Sequence, residues 1–311
     1  MTLFCINLVN INNSEKIMTS PNIEKTLNPN ELLLFKDLIS PHFNPNWHFH
    51  PELQISFIVK GKGTRFVGDH VETFEEEDVV LTGPNVPHLW RNDDVYFNQN
   101  SKLTTRGLVI YFNQELVNER LMQKNEFYYI NKLIKNSARG IEFYGETKRE
   151  IKGLLLKMGN LKGFQRIILL LEILNMLAHS TEYNLLSSPA YTNVVKADDT
   201  KKMSLVYEYV ITNFKSKIAL EDIADMLNMT TTSFCKYFKP RANKTFTKFV
   251  NEIRIGHARK LLLEDNLNIS EIGYECGFST LSNFNKQFKS IANMPPHAYR
   301  KLFLKIKTPL S

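Results

Sequence analysis

The stretch Asn268–Arg300, NISEIGYECGFSTLSNFNKQFKSIANMPPHAYR, sets apolar residues at helical spacing on either side of Cys276-Gly277-Phe278. That spacing predicts two short helices with a break at Gly277, the residue type that takes a left-handed backbone most easily. Asn268 followed three residues later by Glu271 makes a capping box for the first helix. In the second helix Phe284 and Phe288 fall on one side. The other side is left to Thr280, Leu281, Ser282, Asn285, Lys286 and Lys289. A hairpin that only filled a core would need the apolar stripe and nothing more.

The same unit occurs earlier, as LEDIADMLNMTTTSFCKYFK (Leu220–Lys239). Ile223 matches Ile272, Ala224 matches Gly273, Leu227 matches Cys276, and Met229 matches Phe278. With one extra residue in the later copy, Phe234 matches Phe284 and Phe238 matches Phe288. Small Ala224 and Gly273 allow the two helices of each unit to approach closely. Asn228 stands at the break where the later copy has Gly277, and Asn is the next easiest residue in a left-handed conformation. Ala219 stands where the later copy has its cap, a loss of about 1 kcal/mol.

Two helix-turn-helix units result. The second helix of the first unit presents Thr231, Thr232, Cys235, Lys236 and Lys239 opposite its phenylalanines. Such side chains bond base edges and phosphates, and an α-helix fits the major groove. TFTKFVNEIRIGHARKLLLED (Thr245–Asp265) reads as one connecting helix, some 18 residues of which make about 27 Å at 1.5 Å per residue. Its length suits two reading helices set near one turn of duplex apart, about 34 Å. Residues 200–311 hold 18 Lys and Arg against 9 Asp and Glu, while the rest of the chain holds 21 against 23. The whole net charge of +7 therefore comes from the last third, as in a nucleic-acid-binding module joined to a neutral one. An ordinary bundle with a solvated face would explain the polar stripe, but not the duplication, the connector and the local charge together.

On these residues the segment 200–305 resembles the DNA-binding domain of AraC/XylS-family transcriptional regulators. The resemblance is carried by LEDIADML, FCKYFK, IRIGHARKLLLE, ISEIGYECGFSTLSNFNKQFK and the closing PPHAYRK. It implies seven helices, promoter DNA as the partner, a homodimer, contact with RNA polymerase, and a role that includes activation. The sequence departs from the family pattern at Ala219 and at Cys235, where a larger polar reader is common.

Residues 47–111 read differently. Leu53, Ile55, Phe57 and Val59 alternate with Gln54, Ser56 and Lys60, the period of a strand. Gly61-Lys62-Gly63, Gly68-Asp69 and Pro84-Asn85-Val86-Pro87 mark turns, and the whole suggests a small barrel or sandwich. WHFHPELQISFIVKGKG (Trp47–Gly63) with TGPNVPHLW (Thr82–Trp90) resembles the cupin-type sensory domain of the same regulators. The resemblance implies a small-molecule pocket, with a sugar or other carbon-source metabolite as effector. His48, His50 and His88 are the candidate ligand contacts, with Trp47, Arg65 and Trp90 beside them. In cupin enzymes a glutamate completes a metal site with these three histidines, but that position falls at Gln54, with Glu52 nearer the pair. No metal, cofactor or catalytic residue is therefore expected. A metal-dependent cupin enzyme, a dioxygenase or isomerase fused to a DNA-binding domain, is the alternative.

The expected fold class is α+β with two domains: a cupin-like barrel with trailing helices, then an all-α domain with two helix-turn-helix units. The expected divisions are an extension over 1–29, the barrel domain over 30–181, a linker over 182–199, the DNA-binding domain over 200–305, and a tail over 306–311. Helices are expected near Leu121–Asn136, Lys148–Met158 and Leu161–Ser180. In the last, Phe164, Ile167, Ile168, Leu171, Leu174 and Leu177 form a wide apolar stripe, equally suited to the barrel and to a partner helix. Cys5, Cys235 and Cys276 lie too far apart for a disulfide framework or zinc finger. The apolar start lacks the basic residues of a signal peptide, and Ile167–Ala178 is broken by Glu172 and Asn175. A cytoplasmic chain without membrane contact is expected.

Overall fold

A computed structural model describes residues 27–307 apart from 29, 114, 115, 117, 118, 192–196 and 265. Residues 1–26 and 308–311, which make up most of the expected extension and tail, lie outside the described residues.

Among the described residues nine strands form two antiparallel sheets. They are β1 (Leu33–Ser40), β2 (Leu53–Lys60), β3 (Gly63–Val67), β4 (His70–Phe74), β5 (Val79–Thr82), β6 (His88–Asn92), β7 (Thr105–Phe112), β8 (Ile141–Phe143) and β9 (Tyr183–Leu185). The larger sheet runs β1-β7-β2-β5-β8-β9 and the smaller β4-β3-β6. Between them Ile58, Val67, Phe74, Val80, Val86, Trp90 and Leu186 form the barrel's inner core. The alternation in β2 is real, but both of its sides are covered. Leu53, Ile55 and Phe57 pack on helices, while Gln54, Ser56 and Ile58 face the interior of the barrel. Strand β9 lies within the stretch expected to be linker, where Tyr183, Asn184 and Leu185 pair with β8.

Helices cover the outer face of the larger sheet. They are α1 (Glu119–Met122), α2 (Tyr128–Ser137), α3 (Gly145–Met158) and α4 (Phe164–His179). The single helix expected from Leu121 is divided, because Lys124 is extended between α1 and α2. Leu170, Ile173, Leu174 and Leu177 of α4 enter the core formed with β2, β5 and β7. Phe164, Ile168 and Leu171 point away and are 75%, 54% and 39% exposed. The wide stripe thus divides into an inner and an outer side, and Leu174 belongs to the inner one.

The carboxyl-terminal part is helical: α5 (Ala197–Asn213), α6 (Leu220–Met226), α7 (Thr231–Ala242), α8 (Phe246–Glu264), α9 (Ile269–Glu275), α10 (Leu281–Ala292) and α11 (Pro296–Lys307). The two units agree in backbone detail. The amide of Met229 donates to Ala224 O at 2.8 Å, and that of Phe278 to Gly273 O at 3.1 Å. Asn228 and Gly277 both have positive φ, 54° and 82°. A Cβ on Gly277 would lie 2.5 Å from the carbonyl oxygen of Phe214, so space as well as conformation requires glycine there. Thr230 and Thr280 cap α7 and α10 by accepting from the amides of Ser233 and Asn283. Asn268 and Glu271 form the capping box at α9, while Ala219 gives α6 no side-chain cap.

The outer face of the smaller sheet is covered by this helical part. Trp47, Phe66 and Leu89 share one buried core with Val206, Tyr207, Phe234, Phe238 and Phe249. Polar contacts continue the seam along α8 and the turn before it. Asn243 donates to Asp69 at 2.9 Å, and Arg259 and Lys260 meet Glu72 and Asp93 at 2.5 Å each. Among the described residues no helix is long and apolar enough to cross a membrane.

Candidate functional site

Two surfaces carry the candidate chemistry. The first is the outward side of α7 and α10. Along their twelve residues the two helices show the same order of burial, with Phe234, Phe238 and Ala242 inside in one, and Phe284, Phe288 and Ala292 in the other. Thr232, Cys235, Lys236 and Lys239 are exposed on α7, and Ser282, Asn285, Lys286 and Lys289 on α10, with Thr231 and Leu281 half-buried at the helix starts. The docked barrel leaves them all accessible, so it lies against another side of the helical part. Thr280 is exposed but occupied as the cap of α10. Helix α8 between the units has 19 residues, about 28 Å at 1.5 Å per residue.

The second surface is a cavity of about 720 Å³ inside the barrel, within the usual size for a small-molecule site. Its wall includes Lys36, His48, Gln54, Ser56, Trp90 and Tyr111. Of the six side chains expected as ligand contacts, His48 and Trp90 line it. His50 and His88 stand behind Gln54, whose Oε1 lies 2.8 Å from His50 Nε2 and 3.2 Å from His88 Nε2. Gln54 also donates to Ser56 Oγ at 2.6 Å.

The other two expected contacts lie elsewhere. Trp47 is only 1% exposed, and its ring faces outward onto Tyr207 at 5.7 Å between centroids. Residues 47 and 48 lie on opposite sides of one extended segment, so a histidine on the cavity sends its neighbour to the seam. Arg65 is fully buried and held by Glu142 at 2.8 Å and Asp78 at 3.7 Å. A guanidinium so buried is committed to these carboxylates. Burial lifts Asp78 to about 6 against the pull of Arg65, and Glu142 adds to the rise.

Ser56 and Tyr111 are cavity residues that the motif did not single out, and Gln54 had entered only at the position of a metal-binding glutamate. The signal for Gln54 and Ser56 was the polar half of the alternation in β2, whereas Tyr111 lies in β7. Lys36 and the loop 41–45 line the cavity without any pattern that marks them.

His50 and His88 are neutral at pH 7. Burial holds His88 well below its ordinary value, and His48 and His50 add to this. Burial also lowers His50, against the hydrogen bond to Gln54. His88 Nδ1 donates to the carbonyl of Val86 at 2.7 Å, and His48 Nδ1 to that of Asn46 at 2.8 Å. These bonds fix a proton on Nδ1 of both rings, so neutral His88 has no Nε2 proton to give Gln54, and it is His50 Nε2 that donates to the Gln54 oxygen. The ligating nitrogens of His48, His50 and His88 all lie within 4.8 Å of one another. They could hold a metal ion, with the neutral oxygen of Gln54 where a carboxylate would be the stronger ligand. Glu52, the nearest carboxylate, instead lies 3.3 Å from His50 Nδ1.

A family model described as a helix-turn-helix domain matches residues 223–302, and a cupin domain model matches residues 38–95. An uncharacterized HTH-type transcriptional regulator, YdeC of Bacillus subtilis, is 33% identical over 101 residues, 32% of this chain. The matched part spans about a third (35%) of that relative's length. The melibiose operon regulatory protein of Escherichia coli K12 is 19% identical over 308 residues, 93% of this chain and 96% of its own. Among solved structures, ToxT from Vibrio cholerae covers 87% of this chain and 98% of its own at 14% identity and a TM-score of 0.33.

Proposed function

We propose that the chain works as a transcriptional regulator of AraC type, a cupin domain ahead of a helix-turn-helix domain, in which a sugar held in the barrel cavity controls how the two reading helices engage paired DNA sites. The observation that carries the DNA half of this reading is the shared burial order of α7 and α10, which leaves both polar sides open while the barrel is docked. Lys236, Lys239, Lys286 and Lys289 supply charge for phosphates. Thr232, Ser282 and Asn285 supply donors and acceptors for base edges.

The cavity's chemistry fits a neutral polyol. His48, Gln54, Ser56 and Tyr111 offer both donors and acceptors, as hydroxyl-rich ligands require, and Trp90 offers an aromatic face for a sugar ring. Melibiose is the probe suggested by the relative that spans nearly the whole chain. Melibiose should raise the melting temperature of the full chain by mass action, and His48→Ala should reduce that rise. A melting temperature indifferent to melibiose would remove this sugar as effector. On the DNA side, Lys286→Ala and Asn285→Ala should each weaken the specific site by about 1–3 kcal/mol, while Lys289→Ala weakens all DNA alike. Uniform losses from all three would move the reading face elsewhere.

A second copy of the chain is the proposed partner of the outer side of α4. Phe164, Ile168 and Leu171 recur at i, i+4 and i+7 and form one exposed apolar row. Leu171→Glu should convert the dimer to monomer in sedimentation. The same change at Leu174 would instead disrupt the barrel core. The metal-dependent enzyme remains a second reading, favoured by the histidine cluster. Metal content near one per chain in purified protein would support it, and metal-free protein with sugar-dependent stability would reject it.

A further inference from the structure

The cavity wall and the domain seam are two sides of the same pair of extended segments. The His48 amide donates to His88 O at 3.2 Å, and the His88 amide donates to His48 O at 2.9 Å. Side chains on such segments alternate between faces. Inward lie His48, His88 and Trp90, with ring centroids 4.5 Å apart for His48 and His88 and 5.6 Å for His88 and Trp90. Outward lie Trp47 and Leu89, each 1% exposed, in the core shared with the helical domain. Trp47 is bonded to His48, and Leu89 sits between His88 and Trp90. The outward side is also well held. Tyr207 stacks on Trp47, Ser204 Oγ donates to the Trp47 carbonyl at 3.1 Å, and Leu89 pairs with Phe66, whose ring meets Tyr207 at 5.0 Å and Phe249 at 6.2 Å.

We propose that Trp47 and Leu89 are the positioning residues through which occupancy of the cavity reaches the first helix-turn-helix unit. This rests on the reading of the cavity as an effector site. A ligand that displaces His48 or Trp90 must move the backbone they share with Trp47 and Leu89. A close-packed core answers such a push by repacking. Tyr207 and Phe249 belong to the core that Phe234 and Phe238 close, so the repacking is felt under α7. Helix α10 stands on a different core and keeps its place. The effector thus alters the position of one reading helix relative to the other. By linkage, DNA that favours one placement also favours the cavity state that goes with it.

The chain has two tryptophans, one on each side of this device. In full-length Trp90→Phe protein the emission reports Trp47 at the seam, and in Trp47→Phe protein it reports Trp90 at the cavity. Gln54→Leu unties His50 and changes the side chain that His88 meets inside the barrel, and neither Gln54 nor the residues it contacts there belong to the helical domain. In the Trp90→Phe background it should shift the emission of Trp47. Combined with Tyr207→Leu it should show non-additivity of about threefold or more in the folding equilibrium. Should Gln54→Leu fail to fold, Ser56→Ala, which removes the partner of the Gln54 amide, takes its place. A silent Trp47 together with additive effects would overturn the proposal. Melibiose separates the two readings. If it moves Trp90 and leaves Trp47 unmoved, the coupling is overturned while the effector site stands. If it moves neither, melibiose is not the effector, and the Gln54→Leu result alone decides the coupling.

Discussion

Helices α7 and α10 bury the same positions in the same order, yet they are anchored to different bodies. Phe234 and Phe238 of α7 close a core that includes Trp47, Phe66 and Leu89 of the barrel. Phe284 and Phe288 of α10 close one built from α8, α9 and α11, with Ile255, Leu262, Ile272 and Tyr299 among its members. The second half of α8 meets the barrel through charges instead, Arg259 to Glu72 and Lys260 to Asp93. Duplication of a unit therefore does not duplicate its mechanical role. The first unit is joined to the barrel by apolar packing, which tolerates few alternative arrangements, and the second by ion pairs, which shift and rehydrate more freely.

The largest expected effects test this difference directly. Phe238→Ala and Phe288→Ala should each destabilise their core by about 3–5 kcal/mol. In native-state hydrogen exchange, Phe288→Ala should loosen α9, α10 and α11 and leave the barrel amides unchanged. Phe238→Ala should loosen β3 and β6 as well as α6 and α7. If both variants leave the barrel equally protected, the first unit is not anchored to it.

A smaller effect concerns the caps. Asn268→Ala removes a capping box and should cost about 1 kcal/mol, read as faster exchange in α9. Ala219→Ser should add a cap to α6, stabilising it by a similar amount. If Ala219→Ser changes nothing, the missing cap is offset by contacts at the seam.

The charged half of the seam should show in acid. Burial pushes Glu72 up, but the hydrogen bond from His70 and the charges of Arg259, His70 and Arg65 outweigh it and hold the carboxyl at about 2, against an ordinary 4.5. A carboxylate lowered in the folded state adds stability that is present above its unfolded value and lost as pH falls through the folded one. The full chain should therefore lose melting temperature between pH 4.5 and pH 2, and Glu72→Gln should flatten part of that slope. Parallel curves for the two proteins would show that Glu72 does not bind the seam.

The two parts were not equally legible in the sequence. The helix-turn-helix units depend on local signals: Asn228 and Gly277 at left-handed breaks, the Asn268–Glu271 box, and phenylalanines four apart. All of these are written within about twenty residues, and they fix the reading face as whatever the phenylalanines do not occupy. The barrel depends on contacts between distant strands. His48 and His88 came together as the motif implied. Trp47 and Arg65 did not join them, because neither the seam nor the Glu142 and Asp78 partners of Arg65 leave a mark near those residues. The alternation in β2 revealed a strand but not that both of its faces are covered. The stripe on α4 held two overlapping faces, and only the position of the barrel separated Leu174 from Leu171.

Helices α7 and α10 are proposed to read two adjacent grooves from one face of a duplex. Selection of binding sites from randomised duplexes by the full chain tests it most directly, because no known operator is needed. The expected result is an enriched sequence with two information-rich blocks centred about one helical turn, roughly 10 base pairs, apart. Lys286→Ala with Asn285→Ala should relax one block, and Lys236→Ala the other. A single enriched block, unaffected by changes on one of the two helices, would contradict the claim.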